Sequence, residues 1–561
     1  MGAANRARAQ IRPMPTPAHS IRAPLLWLLL PLMAGLPAAK IWPVPPAGVW
    51  PFLIVAGLAA LCAGWAAATG RNRLSLSALA LAALLSGFLL LHLRHPHLHQ
   101  RESRPPREVT LTVRVTEVFG STSRARSVSG LGIVVAAGGT DAELVGQRIY
   151  FSANRRISTL PRISGQYEIQ GVLEPLPRDD ADAGFNDYLA NLGIRQRLIR
   201  SRVVRELAPP SAVRTLVTSL RDRLEKILRH GLDEHPQAAS LYLAMLLGEK
   251  AALSAEQENA FMRSGTFHVF SVSGLHVGVI ALALHMMLTV LRVPRRPEAL
   301  VTLAVLWLYV QVTGAGTPSI RAYVMIAFLL SSKALRLPGN TFAALSAAAV
   351  CTLLADPLQL FSTGFQMSYS VVAALILFGG PLADRWLERW QPFAFVPRPA
   401  WRWWHHTVSW TGRKMIAATA GCWAAFIAST ASGIGFFGLF SLGAFVANLV
   451  ILPLSSLALI AGFLSLLTGL PGLLSLSALF NSAAALIIIA ADWLLRHCTT
   501  LPGVYFPARF RAEWLAPVSL ALMTAVLLAG ASGRWAKRYG GFWPPVVLLI
   551  LLLLFGVKFG G

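Results

Sequence analysis

Histidines, serines and glycines crowd into the run His268-Val-Phe-Ser-Val-Ser-Gly-Leu-His-Val-Gly278, at the mouth of a long apolar segment. Polar groups inside a bilayer are costly, so they face a bundle interior or a water-filled path. Gly274 lets backbones approach closely and can break a helix, while Ser273 and His276 offer hydrogen bonds to such a path. Leu275 and Gly278 complete the Ser-Gly-Leu-His-Val-Gly element. His268 stands eight positions before His276, about two helical turns, so a regular helix would put both on one side. Two satisfied core histidines are the plainer alternative. A hydrolase built on Ser273 and His276 is a further one, but no oxyanion donor or orienting acid is identifiable.

Other blocks place polar or helix-breaking residues at membrane depth. In Thr313-Gly-Ala-Gly-Thr-Pro-Ser-Ile-Arg-Ala322, Gly314, Gly316 and Pro318 interrupt a helix and free backbone groups, with Ser319 alongside. Arg321 opens the next helix; it either faces a polar path, where it could meet a phosphate, or snorkels to the interface. Asp356-Pro357 ends one helix and turns into the next, and Asp356 is either an arginine's partner or a solvated turn residue. In Gly364-Phe-Gln-Met-Ser-Tyr369, Gln366 and Ser368 add uncharged polarity that suits a path or helix–helix contacts. Asn448 precedes Pro453 in a late apolar run.

Two clusters invite other chemistry. Between Arg385 and Lys414, Trp386, Trp390, Trp401, Trp403, Trp404 and Trp410 interleave with Arg389, Arg398, Arg402 and Arg413. Stacking rings among cations suit single-stranded nucleic acid, but the same composition builds an interfacial belt, which is the preferred reading. His92, His95, His97 and His99 alternate at the end of an apolar helix, with Glu102 and Glu108 nearby. They read as an interfacial group rather than a metal centre. Cys62, Cys351, Cys422 and Cys498 lack metal-type spacing, and no Walker-type loop is present, so no metal, cofactor, nuclease or ATPase chemistry is assigned.

The elements that must position these residues are mostly membrane helices. The chain has 561 residues, 55% hydrophobic and only 13% charged, about half the charged share of a soluble protein. Apolar segments at Pro24–Ala39, Val49–Thr69 and Leu74–Leu93 come first, the first of them read as a retained anchor after Arg6, Arg8, Arg12 and Arg22. Further spans are expected at Phe267–Leu291, Ala299–Val312, Ile320–Leu335, Thr341–Leu354, Phe361–Gly379, Met415–Ser429, Phe436–Leu452, Leu454–Leu467, Leu474–Leu495, Trp514–Gly530 and Phe542–Phe559. Between 101 and 208 the pattern changes. Val109, Leu111, Val113 and Val115 alternate with polar residues, and Leu131–Ala137, Val145–Ala153 and Gln166–Leu173 are further strands. Four or five short strands suit a small barrel of the oligonucleotide-binding type, or a generic small β-domain. Ser211–Gly231 is an amphipathic helix whose apolar stripe is flanked by Arg214, Arg221, Arg223, Lys226 and Arg229, expected to lie flat on the membrane.

Charge orients the chain. The net charge of +25 fits positive-inside bias and headgroup contact, or a polyanionic substrate. With the β-domain outside, Arg292/Arg295/Arg296, Lys333/Arg336 and the Arg385–Lys414 loop fall inside. Arg534, Lys537 and Arg538 then fall outside, which implies a re-entrant segment between 415 and 495 or a deviation in the last helices.

Taken in order, these blocks resemble the signature of the ComEC competence proteins. The family shows a His before the Ser-Gly-Leu-His-Val-Gly run, as at His268 and Ser273–Gly278, and a Gly with Pro-Ser before Arg-Ala, as at Gly314–Ala322. It also shows Asp-Pro followed by Gly-Phe-Gln-x-Ser-aromatic, and Asn shortly before Pro, as at Asn448 and Pro453. Phe185-Asn-Asp-Tyr-Leu-Ala-Asn-Leu-Gly-Ile194 resembles the element closing the family's external domain. The resemblance implies a polytopic α-helical membrane protein of the bacterial inner membrane with an inserted, extracytoplasmic, OB-like small β-barrel. It divides the chain into N-terminal helices (1–100), barrel (101–208), amphipathic interfacial helix (209–235), channel domain (236–530) and C-terminal hydrophobic helix (531–561). It implies uptake of single-stranded DNA in natural transformation along a path formed by the quoted residues. A separate nuclease and a cytoplasmic DNA-translocating motor are the implied partners, because the metallo-β-lactamase motif of longer members has no counterpart in this sequence. The alternative is a non-DNA transporter or lipid- or envelope-related protein on the same fold.

Overall fold

The structure, a computed structural model, describes residues 24–45, 48–96, 104–119, 127–154, 161–177, 183–249, 254–270, 272–337, 339–530, 535 and 541–560. Arg6, Arg8, Arg12, Arg22, His97, His99, Arg101, Glu102, Arg534, Lys537 and Arg538 lie outside the described residues.

Three apolar helices open the chain: α1 (Leu26–Ile41), α2 (Val49–Ala68) and α3 (Asn72–Arg94). α1 and α3 meet through paired glycines: a Cβ on Gly35 would sit 2.0 Å from the Leu84 carbonyl oxygen, and one on Gly87 would sit 2.3 Å from that of Leu32. Only glycine permits this backbone approach.

A closed five-stranded barrel follows, with strands β1 (Arg107–Phe119), β2 (Ser127–Ala137), β3 (Arg148–Asn154), β4 (Gln166–Pro175) and β5 (Gln196–Ala208) in the order β1-β2-β3-β5-β4. All neighbours are antiparallel except β3 and β5. Alternation fills the interior: Leu111, Val113, Val115, Ile149, Phe151, Tyr167, Ile169 and Leu198 are buried together. Helix α4 (Ala183–Asn191) precedes β5 and packs Leu189 and Ile194 against Leu131.

The helical body contains α5 (Ala212–Arg229), α6 (Pro236–Leu247), α7 (Ala255–Arg263), α8 (Gly274–Val290), α9 (Arg295–Val312), α10 (Thr317–Ala334), α11 (Thr341–Ala355) and α12 (Thr363–Arg389). It continues with α13 (Trp403–Phe437), α14 (Ala444–Gly469), α15 (Leu474–Thr500), α16 (Leu515–Gly530) and α17 (Pro544–Leu551). Among the described residues six helices (α2, α3, α12, α13, α14 and α15) are long and apolar enough to cross a bilayer. This is a polytopic helical membrane protein carrying one small barrel.

The segments Phe436–Leu452 and Leu454–Leu467, expected as separate spans, are not separated at Pro453: from Ala444 to Gly469 they form the single helix α14, while Phe436 and Phe437 end α13. Pro453 removes one backbone donor but does not end the helix, and Ser455 and Ser456 both donate to the Leu452 carbonyl beside it. Short strands β6 (Leu439–Ser441), β7 (Tyr505–Phe510) and β8 (Val557–Phe559) form one sheet, which ties the ends of α13, α15 and α17 together.

The amphipathic helix α5 begins where expected, with Ser211 accepting from the Arg214 amide at 3.4 Å. Its C-terminal half docks on the bundle. Asn481 of α15, fully buried, donates to the carbonyls of Ile227 (2.8 Å) and His230 (3.0 Å) and accepts from the Tyr242 hydroxyl (3.1 Å). Val213 and Leu216, in the first turns, remain exposed.

Candidate polar path at the barrel end of the bundle

The barrel stands on the helices through a charged junction. Arg148 at the start of β3 reaches Asp356 at 3.3 Å, and His95, just past α3, lies 3.7 Å from the same carboxylate. Asp356 also accepts from the Leu358 amide (3.2 Å) and the Gln359 side chain (3.4 Å), capping the 3₁₀ turn Pro357–Phe361. Lys40 donates to Asn191 at 3.0 Å and lies over the Phe361 ring. Burial alone would raise the Asp356 carboxyl; the His95 hydrogen bond, the Arg148 charge and Gln359 outweigh it and hold it at about 2. Asp356 is therefore a partnered residue of the interdomain contact, one of the two alternatives its sequence position left open.

The polar cluster lies a few residues further along. Ser273 is the N-cap of α8. Its amide donates to His276 Nδ1 at 3.2 Å, and its hydroxyl stands 2.9 Å from the same nitrogen. Nδ1 accepts the amide proton, so the hydroxyl also donates to it and the ring's own proton sits on Nε2. His276 is completely buried, whereas His268, Gly274, Gly314 and Gly316 are exposed around it. The two histidines therefore differ in setting: His268 lies in a separate 3₁₀ turn (Phe267–Phe270), not on the helix of His276. The Ser273–His276 contact has the distance of a nucleophile–base pair, but it is a reciprocal helix cap.

Helix α10 begins after the turn in which Gly314 (φ 92°) and Ala315 (φ 52°) take left-handed backbone, with Pro318 in its first turn. Ser319 donates to the Val272 carbonyl at 3.4 Å, and a Cβ on Gly274 would touch Ala322 at 3.6 Å, so the start of α8 seats against α10. One turn on, Arg321 is 3% exposed and donates through Nη2 to the Gly364 carbonyl at 2.6 Å. Its guanidinium lies 5.5 Å from the Tyr369 ring centre, and Tyr369 is held in turn by Thr352 at 3.1 Å. Nε and Nη1 of Arg321 are buried without acceptors.

Gly364 lies in the first turn of α12, behind the Ser362 cap that accepts from the Phe365 amide. Gln366 turns back to the Leu360 carbonyl at 3.0 Å, so it holds the 3₁₀ turn. Ser368 is half-buried on the same helix. Asn448 is half-buried in α14 with its Oδ1 buried and without a hydrogen-bond partner. The structure thus brings together Ser273, His276, Ser319, Arg321, Gly364 and Tyr369 and puts Asp356, Pro357 and Gln366 at the junction beside them, while Asn448 and Pro453 lie on α14.

Some polar groups carried no sequence signal strong enough to single them out. His285 of α8 bonds Glu298, which opens α9 and is buried, and lies 3.5 Å from Lys333 of α10. Asn481 sits in an apolar run with nothing in its neighbourhood to predict the carbonyls it serves. In the tryptophan-rich segment, Phe393, Trp401, Trp404 and His405 pack on one another, and Trp403, Trp404 and Trp410 are exposed. His92 is used structurally, bonded to the Phe88 carbonyl (3.0 Å) and accepting from the Val44 amide (3.2 Å).

Comparison with known proteins gives a consistent result. Residues 245–537, just over half the chain, match the family described as Competence protein. The chain is 27% identical over 212 residues to ComE operon protein 3 of Bacillus subtilis (strain 168), covering 37% of this chain and 27% of that protein. It is 34% identical over 145 residues to competence protein ComA of Neisseria gonorrhoeae, covering 24% of this chain and 21% of that one. It is 24% identical over 278 residues to Recombination protein 2 of Haemophilus influenzae, covering 48% and 34%. The matches span between 21% and 34% of these relatives' lengths. No solved structure matches.

Proposed function

This chain belongs to the competence protein family, and from that membership we propose that it is a channel of the bacterial inner membrane that takes up single-stranded DNA in natural transformation. The observation that carries this is the convergence of Ser273, His276, Ser319, Arg321 and Tyr369 at one end of an otherwise apolar bundle. Buried polarity of this kind, from separate interrupted helices, suits a substrate passage better than lipid contact. The names of the relatives, competence proteins and a recombination protein, support DNA as the cargo.

In this reading the barrel lies outside the cytoplasm and receives the strand. The support is charge: with the barrel outside, Arg292/Arg295/Arg296, Lys333/Arg336 and the Arg385–Lys414 segment fall in connections on the cytoplasmic side, as positive-inside bias requires. A barrel of this strand order suits oligonucleotides. The partners that go with this reading are a cytoplasmic DNA-translocating motor, which would supply the driving force, and a separate nuclease.

The test is import of fluorescent DNA in a deletion strain complemented with wild-type protein or with His276→Ala. Restored import with wild type and at least a tenfold deficit with the variant, at equal membrane abundance, is expected. Normal transformation of the deletion strain alongside an envelope or lipid defect would instead favour a non-DNA transporter.

A further inference from the structure

Resting on the channel reading and deepening it, we infer that Arg321 and the first turn of α12 form a seat for one phosphodiester group of the translocating strand. A guanidinium offers donors in a fixed fork that matches phosphate oxygens. Here the fork is 97% buried, since Arg321 is 3% exposed, and it makes one hydrogen bond, to the Gly364 carbonyl. Nε and Nη1 are left unmatched. A structural arginine at such depth is normally saturated by a carboxylate, because a lone buried charge is strongly destabilising. The acid nearest in sequence to Gly364, Asp356, is engaged by Arg148 and His95.

The surroundings add positive potential. The guanidinium lies at the N-terminal turn of α12, where the helix dipole favours an anion. Its counterweights are a neutral carbonyl and the Tyr369 ring. A cation placed against a helix N-terminus without an acid is a site whose electrostatics are completed by a passing anion. Gly274 and Gly316, both exposed, lie nearby, Gly274 where α8 seats against α10. The phosphodiester pulls the fork off Gly364, and the strand moving on lets it return. A phospholipid headgroup presents the same chemistry, so the experiment must separate the two.

The test uses the full chain in nanodiscs. A 20-nucleotide single strand is bound at several salt concentrations, with normal or methylphosphonate backbone, and short-chain phosphatidylglycerol serves as competitor. Arg321→Gln is expected to weaken binding of the phosphodiester strand about tenfold and to lower the salt slope by about 0.7, the value of one phosphate contact on a single strand. Binding of the uncharged strand should not change. Arg321→Lys should keep the slope, which shows that the pocket has not collapsed. If wild type binds and imports DNA while Arg321→Gln leaves the slope and the backbone preference unchanged, the seat is wrong and the channel reading stands. If wild type does not bind DNA but binds phosphatidylglycerol through Arg321, the seat takes a lipid headgroup; the inference that it grips the strand fails and so does the channel reading.

Discussion

Asp356 and Arg321 are ionic groups at the same end of the bundle, joined through the short 3₁₀ turn and the first residues of α12, and the fold treats them in opposite ways. Asp356 is surrounded by partners: a barrel arginine, a histidine at the end of α3, a glutamine and a backbone amide. Arg321, far more deeply buried, has one carbonyl and one ring. A charge that the protein neutralises holds two of its parts together. A charge that it leaves open is a standing cost to stability, retained because something outside the fold completes it.

The largest effect should come from removing the open charge. Arg321→Met, which keeps the volume and loses the guanidinium, should lower DNA import at least tenfold while raising thermal stability by about 1 kcal/mol or more. Asp356→Ala should do the reverse, loosening the barrel on the helices with a smaller loss of import. Melting curves in detergent and import assays on both variants decide the matter; if Arg321→Met unfolds the chain, the arginine is a structural support and the contrast disappears.

Asn481 provides a neutral control within the same bundle. It is as buried as Arg321, but its amide is fully matched by Ile227, His230 and Tyr242. Asn481→Ala strands two carbonyls and a hydroxyl and should cost about 1–3 kcal/mol, read as a lower melting temperature. Import should fall only in step with the amount of folded protein, unlike Arg321→Met, where folding and import separate.

How much of this was legible in the sequence depends on how local the signal is. Ser273–His276 and Gly364–Ser368 stand out because a polar side chain in an apolar run is conspicuous in a list of residues. The first four strands show their alternation, whereas β5, with Arg197, Arg200, Arg202 and Arg205 among its apolar positions, has no bounds in the sequence pattern and is defined only where the barrel closes around Leu198 and Val203. Pro453 reads as a break because it cannot donate to the helix ladder, yet α14 continues through it. The docking of α5 depends on Asn481, more than 250 residues away, and no amphipathic pattern encodes which surface a helix will cover. The sequence likewise left open whether Asp356 finds an arginine, because Arg148 lies 208 residues away in another domain.

The smallest expected effect sharpens the Asp356 side of the contrast. Arg148 is 40% exposed and Asp356 20% exposed, so their pairing is worth about 0.2–1 kcal/mol. Arg148→Asp should increase proteolysis between the barrel and α5 slightly, and Arg148→Asp combined with Asp356→Arg should reverse part of that increase; no recovery would mean that His95 and the turn amides alone hold Asp356. Proton linkage gives an independent measure. The folded carboxyl sits at about 2, below its ordinary value of 3.8, so its contribution is complete above about pH 4 and is lost as pH falls through 2. Between pH 8 and 5 this group should leave barrel docking unchanged, and the loosening between pH 4 and 2 should vanish in Asp356→Asn. Loosening already at pH 6 would show that Asp356 is not the group that controls docking.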